Sequence, residues 1–543
     1  MLDPAQAATY ILAHDIGTTG NKSCLYRLSD QIELVDVCLV EYPLYMLPDG
    51  GVEQKADEWW HAVCKTTQTV MARNDVSPSA VKGMAFCAQM QGFVPVDAQG
   101  RVLRNPMSYM DSRATDQIQS GLYHGFPRIS GWNALKVLRS LQVTGGLAAT
   151  AKDPLWKYHW MRENEPELFE RLHAWLDVKD YLVLRCTGVF SMGVDSAHAT
   201  FVYDTRPGKL GWHEGLCRTF GVDMAHLPPV IQATDIAGTL TAGAAAELGL
   251  VAGIPVFGGG GDLSLISTGA GCFDRFDTHI YIGTSGWVVS TVDRRMTDID
   301  GLVASILGAI PGWYNYIAEQ ETAGRCLQWV RDHLALDEIG VYLASQAGSD
   351  RAGQAESLYA LLNREVSQTP PGAGGVLFTP WLHGNRSPFD DPYARGMFFN
   401  IGLETGKRDL IRAVLEGVAY HKRWLLETVE KKVPRQDTLR FVGGGAQSAV
   451  WAQILADVTG RRIEVIENAQ NVGTMGAAIV CAVGLGILDS FQQASGLIHV
   501  QDAYLPRRQY RDLYDRNWAA YKQLYKNNRA LFRQLNAPCR RDR

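Results

Sequence analysis

Two short turns built from glycine and hydroxyl residues have the makings of a phosphate site: Gly17-Thr18-Thr19-Gly20 and Gly283-Thr284-Ser285-Gly286. Turns of this kind gather successive backbone N–H groups and side-chain hydroxyls into a concavity that suits an anion. Asp15 stands just before the first turn, at the end of an apolar run, and Lys22 just after it. A carboxylate so placed could carry Mg2+, which keeps most of its water shell and takes few protein ligands. Thr18, Thr19 and Lys22 could then meet phosphate oxygens. The other reading of this stretch is a plain hairpin whose Asp stabilises the turn. One such turn in each half suggests a duplicated fold that clamps a polyphosphate between its halves.

Asp262 follows four glycines, Gly258 to Gly261. Glycines let the backbone pass close to a ligand, and a lone carboxylate delivered there is suited to take a proton from an attacking hydroxyl. The alternative is a flexible loop whose Asp caps the next helix. Gly443-Gly444-Gly445-Ala446-Gln447-Ser448 follows an apolar run, Leu439–Val442, and precedes a helical stretch starting near Ala449. Its flat glycine surface would accommodate a nucleotide base or ribose. It is not a Gly-x-Gly-x-x-Gly dinucleotide fingerprint, and no Gly-x-x-x-x-Gly-Lys-Ser/Thr loop exists, which argues against a P-loop fold.

These loops need elements to position them. Apolar strand-like runs at Ile11–His14, Leu25–Leu28 and Val35–Tyr42 precede a helix expected from about Asp57 to Ala72. Such alternation predicts an α/β sheet protein with helices on its faces. At 543 residues the chain is longer than one core usually covers. A restart at Ile254-Pro255-Val256-Phe257 puts the expected domains at 1–253 and 254–543. In the second, helices are expected from about Arg408 to Glu430 and from about Arg511 to Leu535. The aromatic stripe of the latter (Tyr514, Trp518, Tyr521, Tyr525, Phe532, Leu535) reads as docking back onto its own domain.

A net charge of -5 with no long run of like charges argues against nucleic acid or an anionic membrane as the main partner. The basic end Arg540–Arg543 reads as a frayed terminus. No apolar run reaches the roughly 18 residues of a membrane span, and the N-terminus has no signal-peptide pattern. Ten scattered cysteines without a Cys-x-x-Cys pair fit packing roles in a reducing cytoplasm.

The residues resemble a known family. Asp15–Lys22 and Gly283–Gly286 are similar to the two phosphate motifs of the FGGY carbohydrate kinases. Thr379–Glu416, with Pro380–Pro388, Asp391, Ala394-Arg395-Gly396, Arg412-Ala413 and Glu416-Gly417, resembles their signature. Gly443–Ser448 with Trp451, Gln453, Asp457 and Gly476-Ala477-Ala478 is similar to their adenosine motif. The resemblance implies a two-domain ribonuclease H-like, actin-type (actin-like ATPase) fold with ATP and sugar in the interdomain cleft. It implies that Asp262 is the general base, that Mg2+ sits near Asp15, and that Gly283, Thr284, Ser285, Gly443, Gly444, Gly445, Gln447, Ser448 and Trp329 lie along ATP. Family members often form dimers, so a homodimer is the expected assembly.

Within the family, the resemblance is to xylulokinases: Gln89-Met90-Gln91-Gly92 corresponds to their sugar loop and Tyr109–Arg113, with Asp111, to the segment after it. It implies ATP-dependent phosphorylation of a ketopentose, D-xylulose at its terminal hydroxyl. Gln91 replaces a common His, Leu263 a common Asn, and Asn385 a common Glu. Gln can hydrogen-bond a sugar hydroxyl and Leu263 cannot, which leaves another ketose or polyol open. Two other readings are an actin-like ATPase switch, which needs neither Gly258–Asp262 nor the sugar loop, and a sugar-binding regulator without catalysis.

Overall fold

The computed structural model describes residues 9–29, 31–129, 131–334 and 363–537. Strands β1 (Thr9–Ile16), β2 (Gly20–Leu28) and β3 (Ile32–Glu41) form an antiparallel ladder, with helix α1 (Ala56–Arg73) next in the chain. Ile11, Leu12 and Ala13 are all fully buried, as expected where helices cover both faces of a sheet. β4 (Val81–Ala88) runs parallel to β1. Helix α2 (Pro154–Asn164) lies in the long excursion before β5 (Ile236–Thr239) and β6 (Pro255–Phe257). The sheet order is β5-β6-β4-β1-β2-β3, and Gly260–Gly261 adds a short strand beside β4. Pro255–Phe257, which the sequence reading put at the start of the second half, is therefore hydrogen-bonded into the first sheet through Val256 and Met84.

Helix α3 (Asp262–Gly269) then leads into a second sheet that repeats the first. Its strands are β7 (Thr278–Ile282), β8 (Gly286–Val292), β9 (Thr297–Asp298), β10 (Val303–Leu307), β11 (Tyr314–Gln320), β12 (Thr438–Val442), β13 (Arg462–Ile466) and β14 (Val500–Tyr504). The order is β9-β10-β11-β8-β7-β12-β13-β14. As in the first sheet, a hairpin (β7–β8) is flanked by an antiparallel strand on one side and two parallel strands on the other. Both glycine–hydroxyl turns close the central hairpin of their sheet.

The helices of the second half that bear on the site are α4 (Gly324–His333), α5 (Lys407–Val429), α6 (Ala449–Thr459), α7 (Val472–Gly484) and α8 (Arg511–Asn536). In α8, Tyr514, Trp518, Tyr521 and Phe532 are buried in the second core, while Leu535 is exposed. The stripe docks as expected except at its last residue. Arg540–Arg543 lie outside the described residues.

The halves exchange helices. α7 packs Ala477, Ala478 and Cys481 with Ile11, Ala13 and Phe257 of the first half, whereas Leu263 and Ile266 of α3 join the second core. The two helices cross where a Cβ on Gly269 would overlap the Val472 carbonyl, and one on Gly476 the Leu265 carbonyl. Nine described cysteines are unpaired, all buried except the half-buried Cys64. No described helix is long and apolar enough to cross a membrane.

Candidate active site

Asp262 opens α3 directly after Gly261. The Gly261 N–H donates to Asp195 Oδ2 at 2.7 Å, and Asp195 is in turn 3.7 Å from the buried Lys179 ammonium. A Cβ on Gly261 would overlap the side chain of Met90, so glycine here admits the sugar-loop methionine next to Asp262. Gly261, not Asp262, occupies the helix-cap position, while Asp262 Oδ1 accepts the Leu263 N–H at 2.8 Å. Burial pushes the Asp262 carboxyl up to about 7; the Leu263 N–H opposes this, and the carboxylates of Asp15, Glu319 and Asp177 add to it. A carboxylate titrating near neutrality in a cleft is matched to general-base work.

Asp15 and Lys22 face each other across the β1–β2 hairpin. Burial raises the Asp15 carboxyl, against the pull of the Lys22 charge and a Cys87 hydrogen bond. The Lys22 ammonium reaches the second half, donating to the Gln470 carbonyl at 2.9 Å. The carbonyls of the turn are tied to the first half: Gly17 O accepts from the Tyr42 hydroxyl at 2.6 Å, Thr18 O from Gln54 at 2.8 Å, and Thr19 O from the Tyr42 N–H at 3.0 Å. The Thr18 and Tyr109 hydroxyls are 3.3 Å apart. The structure shows the hairpin, with Asp15 as a buried carboxylate near the end of its first strand.

The second turn is braced by the start of α4. Ala323 and Arg325 N–H groups donate to Thr284 O at 3.1 and 3.2 Å, and Gly324 N–H to Gly283 O at 2.8 Å. Tyr281, stacked on Trp287 at 4.1 Å, is raised by burial and by Asp15, Asp262, Cys87 and Tyr109, so it belongs to the same cluster. The Gly443–Ser448 loop lies against this strand end: at Gly443 φ is +92° and a Cβ would stand 2.6 Å from the Ile282 carbonyl. Gly444 and Gln447 are exposed. Ser448 caps α6 through the Trp451 N–H (3.1 Å) and donates to Asn363 Oδ1 at 2.7 Å. Trp329 is half-buried on α4, its ring beside Phe378 and Phe398.

In the sugar loop, Gln89 donates to Gln54 Oε1 at 2.8 Å while its own buried Oε1 has no partner among the described residues. Gln91 takes a left-handed φ of +63°. Its N–H and that of Gly92 donate to the two Asp177 carboxylate oxygens at 3.0 and 2.9 Å. Lys157 on α2 donates to Gln91 O at 2.8 Å and Ser108 O at 2.7 Å.

Two sequence expectations are corrected. Asp111 is fully buried, and its carboxylate is taken up by Arg113 (2.7 Å) and the Val52 N–H (2.8 Å); it braces the segment that presents Tyr109 and does not open on the cleft. Leu263 does not face a sugar either, because its side chain is 4% exposed and lies in the second core. Lys157, Asp177, Asp195 and Tyr281 were not singled out from sequence. Asp177 also caps the helix that follows it, accepting the Val178 N–H at 2.8 Å. A charge in the middle of α2, as at Lys157, is indistinguishable from a solvated face until its burial is known. The signature residues serve architecture: Arg412 and Glu416 form a buried 2.7 Å ion pair that Tyr514 of α8 joins. Arg386 pairs with Glu319 and Glu321.

Comparison with known proteins agrees with this geometry. Residues 10–269 match the model for the N-terminal domain of the FGGY family of carbohydrate kinases, and residues 279–485 that for its C-terminal domain. A xylulose kinase of Staphylococcus epidermidis is 28% identical over 520 residues, 94% of this chain and 95% of the relative. A gluconokinase of Bacillus subtilis is 26% identical over 514 residues, 93% and 94% of the two chains. Among solved structures, a ligand-bound xylulose kinase from Lactobacillus acidophilus superposes with a TM-score of 0.82 over 97% of this chain and 100% of that one, at 20% identity.

Proposed function

The chain belongs to the FGGY family of carbohydrate kinases, and on that premise we propose that it transfers the γ-phosphoryl group of ATP to a ketopentose, D-xylulose at its terminal hydroxyl. It is a two-domain sugar phosphotransferase of the ribonuclease H-like, actin-type fold. The observation that carries the reading is the placing of Asp262 and Asp15 at the same end of the first sheet, both against the Cys87–Ala88 strand end, with Met90 packed on Gly261 beside them.

Asp262 takes the proton from the attacking hydroxyl, its carboxyl already raised to about 7. Met90 and the side chain of Gln91, on a backbone fixed by Lys157 and Asp177, hold the sugar against it. The orphaned Gln89 Oε1 is the acceptor offered to a sugar hydroxyl. The hydroxyl turns at Gly17–Gly20 and Gly283–Gly286 cradle phosphates, and Gly443–Ser448 with Trp329 borders the adenosine. Phosphoryl transfer of this kind is mainly positioning and charge neutralisation. Asp15 fits Mg2+: a buried carboxylate raised by desolvation suits an ion that keeps its waters and takes few protein ligands. When bound, the ion neutralises charge on the transferring phosphates. A reducing cytoplasm and a homodimer complete the proposal, the former supported by the unpaired cysteines.

A gluconokinase among similarly distant relatives makes an aldonate the reading to test against. Coupled ADP release across ketoses, aldoses, aldonates and polyols decides it. D-xylulose is expected to show the highest kcat/KM. A higher value for gluconate or glycerol overturns the substrate and leaves the kinase, whereas ADP release indifferent to every sugar overturns the phosphotransfer.

A further inference from the structure

Lys422 on α5 places its amine against Gly286, the last residue of the Gly283–Gly286 turn. The residue is fully buried, and its Nζ has no hydrogen-bond partner among the described residues. The nitrogen fills the space that a Cβ on Gly286 would take; the Tyr281 carbonyl borders that space at 2.6 Å, out of hydrogen-bonding geometry with the amine, and Ala323 at 3.1 Å. Ala323 and Gly324 are the residues whose N–H groups brace the Gly283 and Thr284 carbonyls. The amine therefore lies one layer beneath the turn.

The titratable neighbours supply no compensating anion. Cys326 on α4 carries a thiol whose pKa burial raises, and His279 on β7 and His421 on α5 are both pushed down to about 3 by burial and so are neutral. Tyr281, preceding the turn, is raised by burial and stays a phenol. No carboxylate is among the groups that act on the amine, which burial holds well below the ordinary lysine value. A buried amine without an acceptor is costly in any protonation state, and a leucine or methionine would fill the same volume without that cost. What the position does face is a turn built to hold anions. Phosphate charge a few atoms away through protein of low dielectric favours the ammonium form strongly.

We propose that Lys422 is a buried counter-charge for the nucleotide: neutral while the turn is empty, it takes up one proton from solvent when the phosphates settle on Gly283–Gly286. This rests on reading that turn as a phosphate cradle. Linkage fixes the sign. Binding that raises proton affinity is tightest where the complex is protonated, and it weakens as pH rises through the window between the free and bound titrations.

The test is titration calorimetry of the full chain with ADP and Mg2+, without sugar, from about pH 6 to 9. Repeating each point in buffers of different ionisation enthalpy counts the protons taken up. The wild type is expected to take up close to one proton more per ADP than Lys422→Met, and the variant to bind ADP about tenfold more weakly toward the acid end. The variant should melt no lower than the wild type, since a buried amine has been replaced by an apolar chain of similar shape. Lys422→Gln replaces it if the methionine variant does not fold. Equal proton uptake with dissociation constants within about twofold overturns the proposal and leaves Lys422 as packing. A wild type that does not bind ADP at all overturns the nucleotide reading of the cleft, and this proposal with it.

Discussion

The Lys157 ammonium donates to the Gln91 carbonyl at 2.8 Å, joining helix α2 to the loop beside Asp262. The same nitrogen holds Ser108 O at 2.7 Å, so one buried cation fixes both segments that the proposal assigns to the sugar. Burial lowers it to about 8, against the field of Asp111, Asp153 and Asp177. Lys157→Met leaves the Gln91 carbonyl without a donor, while Ser108 O keeps the Asp111 N–H at 3.0 Å; the loss is about 1–3 kcal/mol where the Gln91 carbonyl stays buried. We expect the sugar KM to rise by about tenfold or more while the ATP KM is unchanged, measured by varying each substrate separately. Parallel loss for both substrates would mean that Lys157 acts on the fold as a whole.

Asp262→Asn keeps the side-chain shape and removes the base. Turnover is expected to fall by about two to four orders of magnitude, with ADP binding by calorimetry unchanged. Turnover near the wild-type value would sink the assignment of Asp262.

The raised Asp262 carboxyl also sets a pH dependence. The base works only when deprotonated, so kcat/KM for the sugar should climb with pH through an apparent value near 7. Stability runs the other way. The folded chain keeps this proton to about 7, whereas the unfolded one loses it near the ordinary value of 3.8. The folded state binds more protons within that window, and stability falls as pH rises across it. The melting temperature of Asp262→Asn relative to wild type should therefore increase from about pH 5 to about pH 8. A difference that is flat or declines with pH contradicts the shift.

At the crossing of α3 and α7, Gly476 faces the Leu265 carbonyl so closely that a Cβ would overlap it. Gly476→Ala must part the helices that join the halves, at a cost of about 1–3 kcal/mol for overpacking. Thermal denaturation should show a lower midpoint, together with reduced turnover because Asp262 opens α3. An unchanged midpoint would show that the crossing has slack.

Leu263→Asn tests where this side chain points. In the cleft it would add a sugar contact, but in the core it places an unpaired amide among apolar neighbours, costing about 1–3 kcal/mol. We expect a lower melting temperature and no gain in kcat/KM for D-xylulose. A gain in sugar affinity would place the side chain in the cleft.

What was legible in the sequence is local chemistry. The two glycine–hydroxyl turns, the hairpins they close and the helices at Lys407–Val429 and Arg511–Asn536 follow from residues adjacent in the chain. Turn geometry and helical periodicity act over a few residues, so they leave a local trace. The duplication could be read for the same reason, and Asp15, Lys22 and Asp262 stood out as candidates because each is marked by the loop beside it.

Tertiary structure alone decided which faces meet. Pro255–Phe257 joined the first sheet because its ladder partner, Met84, comes from far upstream, and no local pattern names that partner. α3 and α7 each pack into the other half's core, a choice made at the close contact of Gly269 and Gly476 with backbone. Asp111 turned inward to Arg113, Leu263 turned into the core, and Lys157 and Asp177 closed on Gln91. A side chain's type fixes what it can bond, but burial and long-range partners determine whether it serves substrate or scaffold. Those depend on elements hundreds of residues apart arriving at one cleft.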